Sequence, residues 1–135
     1  MKPVLIDTDI LSLFFRGHPQ VETCFAAYTA VYPQINLSIV TYYEILSGLK
    51  HRDAHRQLGL FLEFVAQNTL LPLTERSVAY SADMYATTRA AGTPVDDIDL
   101  LIAGIAVANG LGLATHNRKH FEKITGLEVE DWATS

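Results

Sequence analysis

The sequence predicts an α/β fold built on a mainly parallel central sheet. Strand-like runs alternate with helical stretches from one end of the chain to the other, which is the pattern of repeated βαβ units. Two of those runs, Val4-Leu5-Ile6 and Leu111-Gly112-Leu113-Ala114, carry no polar alternation, as expected of strands covered on both faces. Polar side chains follow at once, Asp7-Thr8-Asp9 after the first and, after Thr115 completes the second, His116-Asn117-Arg118. The carboxyl ends of parallel strands are where such sheets place their sites. The 135 residues are expected to form a single domain, residues 1–135, a size that buries roughly two-thirds of the unfolded surface.

Taken in order, the first strand passes into a helix over Ile10–Phe15, with Asp9 or Thr8 as its expected cap. Gly17-His18-Pro19 interrupts the pattern, and a second helix over Val21–Tyr32 stops at Pro33. Ile35–Val40 reads as the second strand. Thr41-Tyr42-Tyr43-Glu44 has the S/T-x-x-E form of a capping box and predicts a helix running to Lys50. A polar bridge to His55 leads to an amphipathic helix over Leu58–Val65. Leu70–Leu73 is a short third strand, placed near an edge because Pro72 lacks a ladder donor. Thr74–Ala91 is a long helix, capped by Thr74 or Ser77 and ended by Gly92. Pro94–Ala108 is a helix of apolar and very small residues with an acidic start, so it packs closely on the sheet. Leu111–Thr115 is the fourth strand, a helical turn surrounds His120–Lys123, and Leu127–Trp132 alternates as a terminal strand.

Composition narrows the classes. No apolar run approaches the ~20 residues of a membrane span, and 49% hydrophobic with 19% charged residues is ordinary for a globular protein. The first strand begins too early for a secretory signal, and the lone Cys24 has no disulfide partner, so a cytoplasmic, membrane-free protein is expected. A net charge of −5 argues against gripping nucleic acid by bulk electrostatics alone. Local binding through a metal and a few cations, among Arg16, Lys50, Arg52, Arg56, Arg118 and Lys119, stays open.

Three acids carry the chemistry. Asp7 ends strand one, Glu44 lies one turn into the helix after strand two, and Asp99 opens the helix before strand four, so all three can meet at one sheet edge. Gathered carboxylates repel unless a proton or a hard cation intervenes. Mg²⁺ or Mn²⁺ suits a few carboxylates plus waters, and such a site fits phosphodiester hydrolysis. Each acid also has a plain structural reading: Asp7 as an N-cap, Glu44 as a capping-box member, and Asp96, Asp97 and Asp99 as first-turn acids facing a helix dipole. The conjunction favours the site. His51/His55 and His116/His120 have a zinc-compatible spacing, but neither carries an H-E-x-x-H form or an accompanying cysteine, so they read as exposed or substrate-facing.

Four blocks in order resemble one family. They are Val-Leu-Ile-Asp7-Thr8-Asp9-Ile-Leu, Ser38-Ile-Val-Thr41-Tyr-Tyr-Glu44-Ile-Leu-Ser-Gly48, Asp99-Leu-Leu-Ile-Ala-Gly-Ile-Ala and Ala114-Thr115-His-Asn117-Arg-Lys-His120-Phe. Together they look like the PIN-domain ribonucleases, and more closely the VapC toxins of toxin-antitoxin modules, over essentially the whole chain. The resemblance implies a three-layer α/β/α PIN-like sandwich and a Mg²⁺- or Mn²⁺-dependent endoribonuclease, with transfer RNA cut by similar members. It also implies a homodimer inhibited by a VapB-like antitoxin, with DNA reached only through that antitoxin. Asp7, Glu44 and Asp99 match the core acids, and Asn117 the polar residue of a Thr-x-Asn/Asp segment whose threonine is Thr115. Thr8 stands beside the first acid. His120 departs from the pattern, since many members carry Asp or Glu there. That leaves one firmly held metal, bound by Asp7 and Asp99 with Glu44 acting directly or through water and Asp96 partly substituting from the preceding turn, while His120 either faces the phosphate or leaving oxygen or is a surface residue at the mouth of the site. A dehalogenase-like phosphohydrolase, with Asp7 as nucleophile and Asp9 as acid, is the rival, although Leu11 breaks its usual motif. A non-catalytic PIN-fold RNA-binding module is the other.

Overall fold

Val4, Leu5 and Ile6 form the first strand, β1 (Val4–Ile6), and every one of them is buried because the sheet is covered on both sides. The computed structural model describes residues 2–134. After β1 come α1 (Thr8–Phe15), α2 (Pro19–Thr29), β2 (Asn36–Ser38), α3 (Ile39–His51), α4 (His55–Ala66), β3 (Thr69–Leu71) and α5 (Glu75–Ala90). The chain continues with α6 (Asp97–Ala108), β4 (Gly112–Ala114), α7 (Arg118–Phe121) and β5 (Val129–Glu130).

Among the described residues the five strands are ordered β3-β2-β1-β4-β5, and every neighbouring pair is parallel. Leu5 lies opposite Asn36 on one side and Leu113 on the other. The chain therefore leaves β1 in one direction to build β2 and β3, then returns through α5 and α6 to place β4 on β1's free side. The reversal falls between β1 and β4, the crevice position at which open parallel sheets bind ligands.

Alternation along β1 assigns the two helical layers. Val4 and Ile6 join one core with Ile10, Leu11, Phe25, Tyr28, Phe61 and Trp132, beneath α1, α2 and α4. Leu5 points the other way, into a core with Leu100, Ile102, Ile105, Leu113 and Phe121, beneath α5 and α6. The result is the α/β/α sandwich. Close approach of α5 and α6 rests on Gly104: a Cβ there would overlap the Ser81 hydroxyl and the Ser77 carbonyl. The Ser81 hydroxyl instead donates to Leu100 O at 2.7 Å, tying the two helices together. Trp132 packs edge-on against Phe25, with ring centroids 5.3 Å apart, and holds the C-terminal segment on the sheet.

Several boundaries differ from expectation. β2 ends at Ser38 rather than Val40, β3 is Thr69–Leu71 rather than Leu70–Leu73, and the terminal strand is only Val129–Glu130. Helix α6 begins at Asp97, three residues after Pro94. Beyond β2 and before β5, Val40 and Leu127 are buried by packing rather than by strand pairing, whereas Pro72 and Leu73 after β3 are exposed. The long helix α5 does start as expected, with Thr74 and Ser77 closing a reciprocal capping box.

Candidate active site

Asp7 follows β1 directly and is the N-cap of α1, so the expected Thr8 or Asp9 cap is corrected by one or two residues. Its Oδ1 accepts from Thr8 N at 2.8 Å and its Oδ2 from Thr115 Oγ1 at 2.8 Å. Thr115, fully buried after β4, in turn accepts from Asn117 N at 3.0 Å. Asp9 makes a second staple across the same crevice, accepting from Ile10 N at 2.7 Å and from His116 N at 3.1 Å. The two acids thus clamp the loop after β4 onto the loop after β1.

Only 5% of Asp7 is exposed, and none of its partners is a cation. Its carboxyl is raised to about 7, first by burial, then by the neighbouring Asp9, with a smaller contribution from Asp99. The bonds from Thr115 and Thr8 offset only part of this. Asp9 and Asp99 are also raised, in both cases first by burial. Such a group of acids carries more negative charge than its surroundings balance.

Glu44 reaches the edge by a different route from the one its spacing suggests. Ser38, not Thr41, caps α3, accepting from Thr41 N at 3.0 Å, so Glu44 falls in the second turn and belongs to no capping box. The half-buried carboxylate instead accepts from Thr8 Oγ1 at 2.6 Å, and Thr8 Oγ1 lies 2.9 Å from Thr41 Oγ1.

Asp99 stands in the first turn of α6, behind an N-cap Asp96 whose side chain makes no cap bond. Asp96 is exposed and contributes a like charge toward Asp99. His120 Nδ1 approaches Asp99 Oδ2 at 3.4 Å and lies 2.7 Å from Asn117 Nδ2. As oriented, the Asn117 amide donates, which makes Nδ1 the acceptor and leaves the ring proton on Nε2. Protonation of the ring would turn Nδ1 toward Asp99 as a donor. The structure therefore gathers Asp7, Asp99, Thr115, Asn117 and His120 around one crevice, with Thr8 and Glu44 along its flank.

Among the described residues no three His, Cys, Asp or Glu side chains stand close enough to form a ready metal group. This holds for the histidine pairs too: His55 pairs with Asp53 at 2.7 Å and His116 with Asp131 at 3.1 Å. The donor set that remains is Asp7 with Asp99, two unbalanced carboxylates of the kind a hard divalent ion joins while keeping several waters.

A groove of about 500 Å³ starts at Thr8 and Glu44 and runs between α1, α3 and α4. Phe15, Phe61, Arg16 and Arg52 line it. Gly48 leaves α3 bare on this side, so that a Cβ there would sit 3.3 Å from Arg52 Nη1. Sequence reasoning missed Thr41 and Asp9 as parts of the site. It also did not separate Arg16 and Arg52 from the other cations, because only the packing of α1 against α3 brings them together.

Comparison with known proteins identifies the fold and the family. The PIN domain model matches residues 4–127. The chain is 31% identical over 134 residues to a tRNA(fMet)-specific endonuclease VapC of Salmonella typhimurium, covering 98% of this chain and 99% of that protein. It is 32% identical over 98 residues to the protein of the same name from Shigella flexneri, covering 72% and 74% respectively. In structure it resembles a chain of DNA-bound VapBC from Salmonella typhimurium, with a TM-score of 0.85, 27% identity and coverage of 98% and 99%. With a parallel sheet in this order, acids gathered at its switch point and relatives matched end to end, the chain belongs to the PIN domain family, in its VapC branch.

Proposed function

We propose that this protein is a metal-dependent endoribonuclease, the toxin of a toxin-antitoxin pair, cutting RNA and most directly transfer RNA. The observation that carries this reading is Asp7: nearly buried, without a cationic partner, and raised first by burial and then by Asp9 and Asp99 at the crevice between β1 and β4. Asp7 and Asp99 would hold Mg²⁺ or Mn²⁺, and the ion when bound would activate water and offset charge on the phosphate. Thr8 N and the Thr115 hydroxyl fix both oxygens of Asp7, so its orientation costs nothing at the moment of reaction. Glu44, held on its flank by Thr8, orients the attacking water and takes up its proton. His120, against Asp99 and Asn117, donates toward the leaving oxygen. Arg16 and Arg52 in the groove meet flanking phosphates, supplying locally the positive charge that a chain of net charge −5 lacks overall.

The tRNA(fMet)-specific endonucleases among the relatives support transfer RNA as substrate, and the VapBC complex that the chain resembles supports a VapB-type antitoxin as partner. On this reading the protein works in the cytoplasm as a homodimer and meets DNA only through its antitoxin. No helix among the described residues is long and apolar enough to cross a membrane. Membership of the PIN family leaves the dehalogenase-like alternative without support.

Incubation of transfer RNA with Mg²⁺ or Mn²⁺ tests the proposal and separates it from a binding module that does not cleave. Asp7→Asn and Asp99→Asn should each lower cleavage by about 10²-fold or more while circular dichroism stays native, since losing even an outer partner of a metal costs 10–100-fold. Equal cleavage by wild type and both variants, above a chelator-treated control, would remove the catalytic assignment.

A further inference from the structure

Thr41 lies one helical turn before Glu44, is 0% exposed, and has its own N–H taken by Ser38. Its place in the first turn of α3 leaves no helical carbonyl four residues back, the acceptor that Thr29 and Thr88 use in α2 and α5. The hydroxyl reaches across to α1 instead, 2.9 Å from Thr8 Oγ1. The direction of this contact follows from proton counting. Thr8 has one hydroxyl proton, and its 2.6 Å partner is a carboxylate oxygen that can only accept when ionised. Thr8 therefore donates to Glu44, and Thr41 must donate to Thr8. The sequence runs Thr41 to Thr8 to Glu44, with each hydroxyl polarising the next.

We propose that Thr41 is a positioning residue which, acting through Thr8, fixes the Glu44 carboxylate on the flank of the crevice that holds Asp7 and Asp99, so that it acts on the ion through water rather than as a direct ligand. This rests on the function proposed above and adds the device that sets Glu44's distance. Glu44 is held at Oε1 by a bond shorter than most neutral hydroxyl contacts, and that bond belongs to α1 rather than to its own helix.

The experiment is a double-mutant cycle of Thr41→Val and Thr8→Val, with Thr41→Ser as the rescue. It is read by Mn²⁺ titration of the full chain followed by electron paramagnetic resonance, and by kcat and KM on transfer RNA. Valine is isosteric with threonine and removes only the hydroxyl. Thr41→Val should weaken Mn²⁺ about tenfold and lower kcat by a similar factor with KM within twofold, in line with the cost of losing an outer hydrogen-bond partner. In the Thr8→Val background the same change should have no further effect, because the relay is already cut. Thr41→Ser should restore both readouts despite the lost methyl, whereas a packing role would make serine the worse variant. Wild-type Mn²⁺ affinity in Thr41→Val, additive effects in the double variant, or no Mn²⁺ binding by wild type at all would each overturn the proposal. Failure to cleave RNA would instead remove the proposed function, while the Mn²⁺ cycle would still decide the relay.

Discussion

Thr115 shows how much one hydroxyl can govern at this site. It is fully buried, donates to Asp7 and accepts from Asn117, so it orders an acid and the following loop at once. Thr115→Val would take away one of the two bonds that favour the charged form of Asp7, and the group would titrate higher still. Cleavage at pH 7 should fall about 10- to 100-fold, and activity should recover partly toward higher pH; a pH–rate profile checks this, and an unshifted profile would argue against it. His120→Ala should act differently, lowering turnover by about 10²-fold as for a placed donor, with Mn²⁺ affinity unchanged in a binding titration. Release of the ion by that variant would mean that His120 is a ligand. At this scale the positions of Asp7 and Asp99 were legible, because a strand end and a helix start are fixed by short-range pattern. The role of Glu44 was not, since Thr41-Tyr42-Tyr43-Glu44 is equally the spacing of a capping box. Only the position of Ser38 at the end of β2 decides between the two.

Between elements, the glycines separate packing from propensity. Gly104 on α6 faces the Ser77 carbonyl and the Ser81 hydroxyl, and the backbone cannot step aside without parting α6 from α5. Gly104→Ala should therefore destabilise by about 2–3 kcal/mol or more, as overpacked interiors do. Gly59 on α4 meets nothing, so Gly59→Ala should stabilise by about 0.5–1 kcal/mol through helix propensity alone. Urea denaturation of the pair checks both, and equal signs would refute the packing argument. The small-residue character of α6 announced a close neighbour in the sequence, but the sequence pointed to the sheet, and the structure adds α5. Strand lengths were overestimated for a related reason. Apolar residues beyond the ladder, such as Val40 and Leu127, are buried by helices and loops, and hydrophobicity alone does not say which surface does the burying.

Across the whole molecule, the strand order reverses beside β1, and that reversal draws acids from distant parts of the chain into one crevice, at a cost to stability. Alternating strands and helices made the parallel sheet legible, whereas the order β3-β2-β1-β4-β5 depends on long-range pairing that no local pattern encodes. The cost should be visible as a pH dependence of the metal-free protein. Asp7 has a folded-state pKa of about 7, against an unfolded value near 3.8, and Asp9 and Asp99 move in the same direction. Between those values the folded chain binds more protons than the unfolded one, so stability falls as pH rises through the window and is fully present only below it. Asp131, lowered against its burial by hydrogen bonds from Thr134 and Ala133 and by His116, opposes this, but its contribution is lost only as pH falls below the ordinary carboxylate range. For Asp7 alone the loss is at most about 4 kcal/mol, and sharing with Asp9 reduces it. Chelator-treated protein should therefore melt several degrees higher at pH 5.5 than at pH 8. Asp7→Asn should flatten most of that slope and melt above wild type at pH 8. Mn²⁺ should reverse the trend, because the ion binds the deprotonated acids and its stabilisation grows with pH. Calorimetry of metal-free wild type, metal-free Asp7→Asn and wild type with Mn²⁺, each at both pH values, measures all of this; a wild-type melting temperature that is flat or rises from pH 5.5 to 8 without metal would show that Asp7 is not strained by its burial and neighbours.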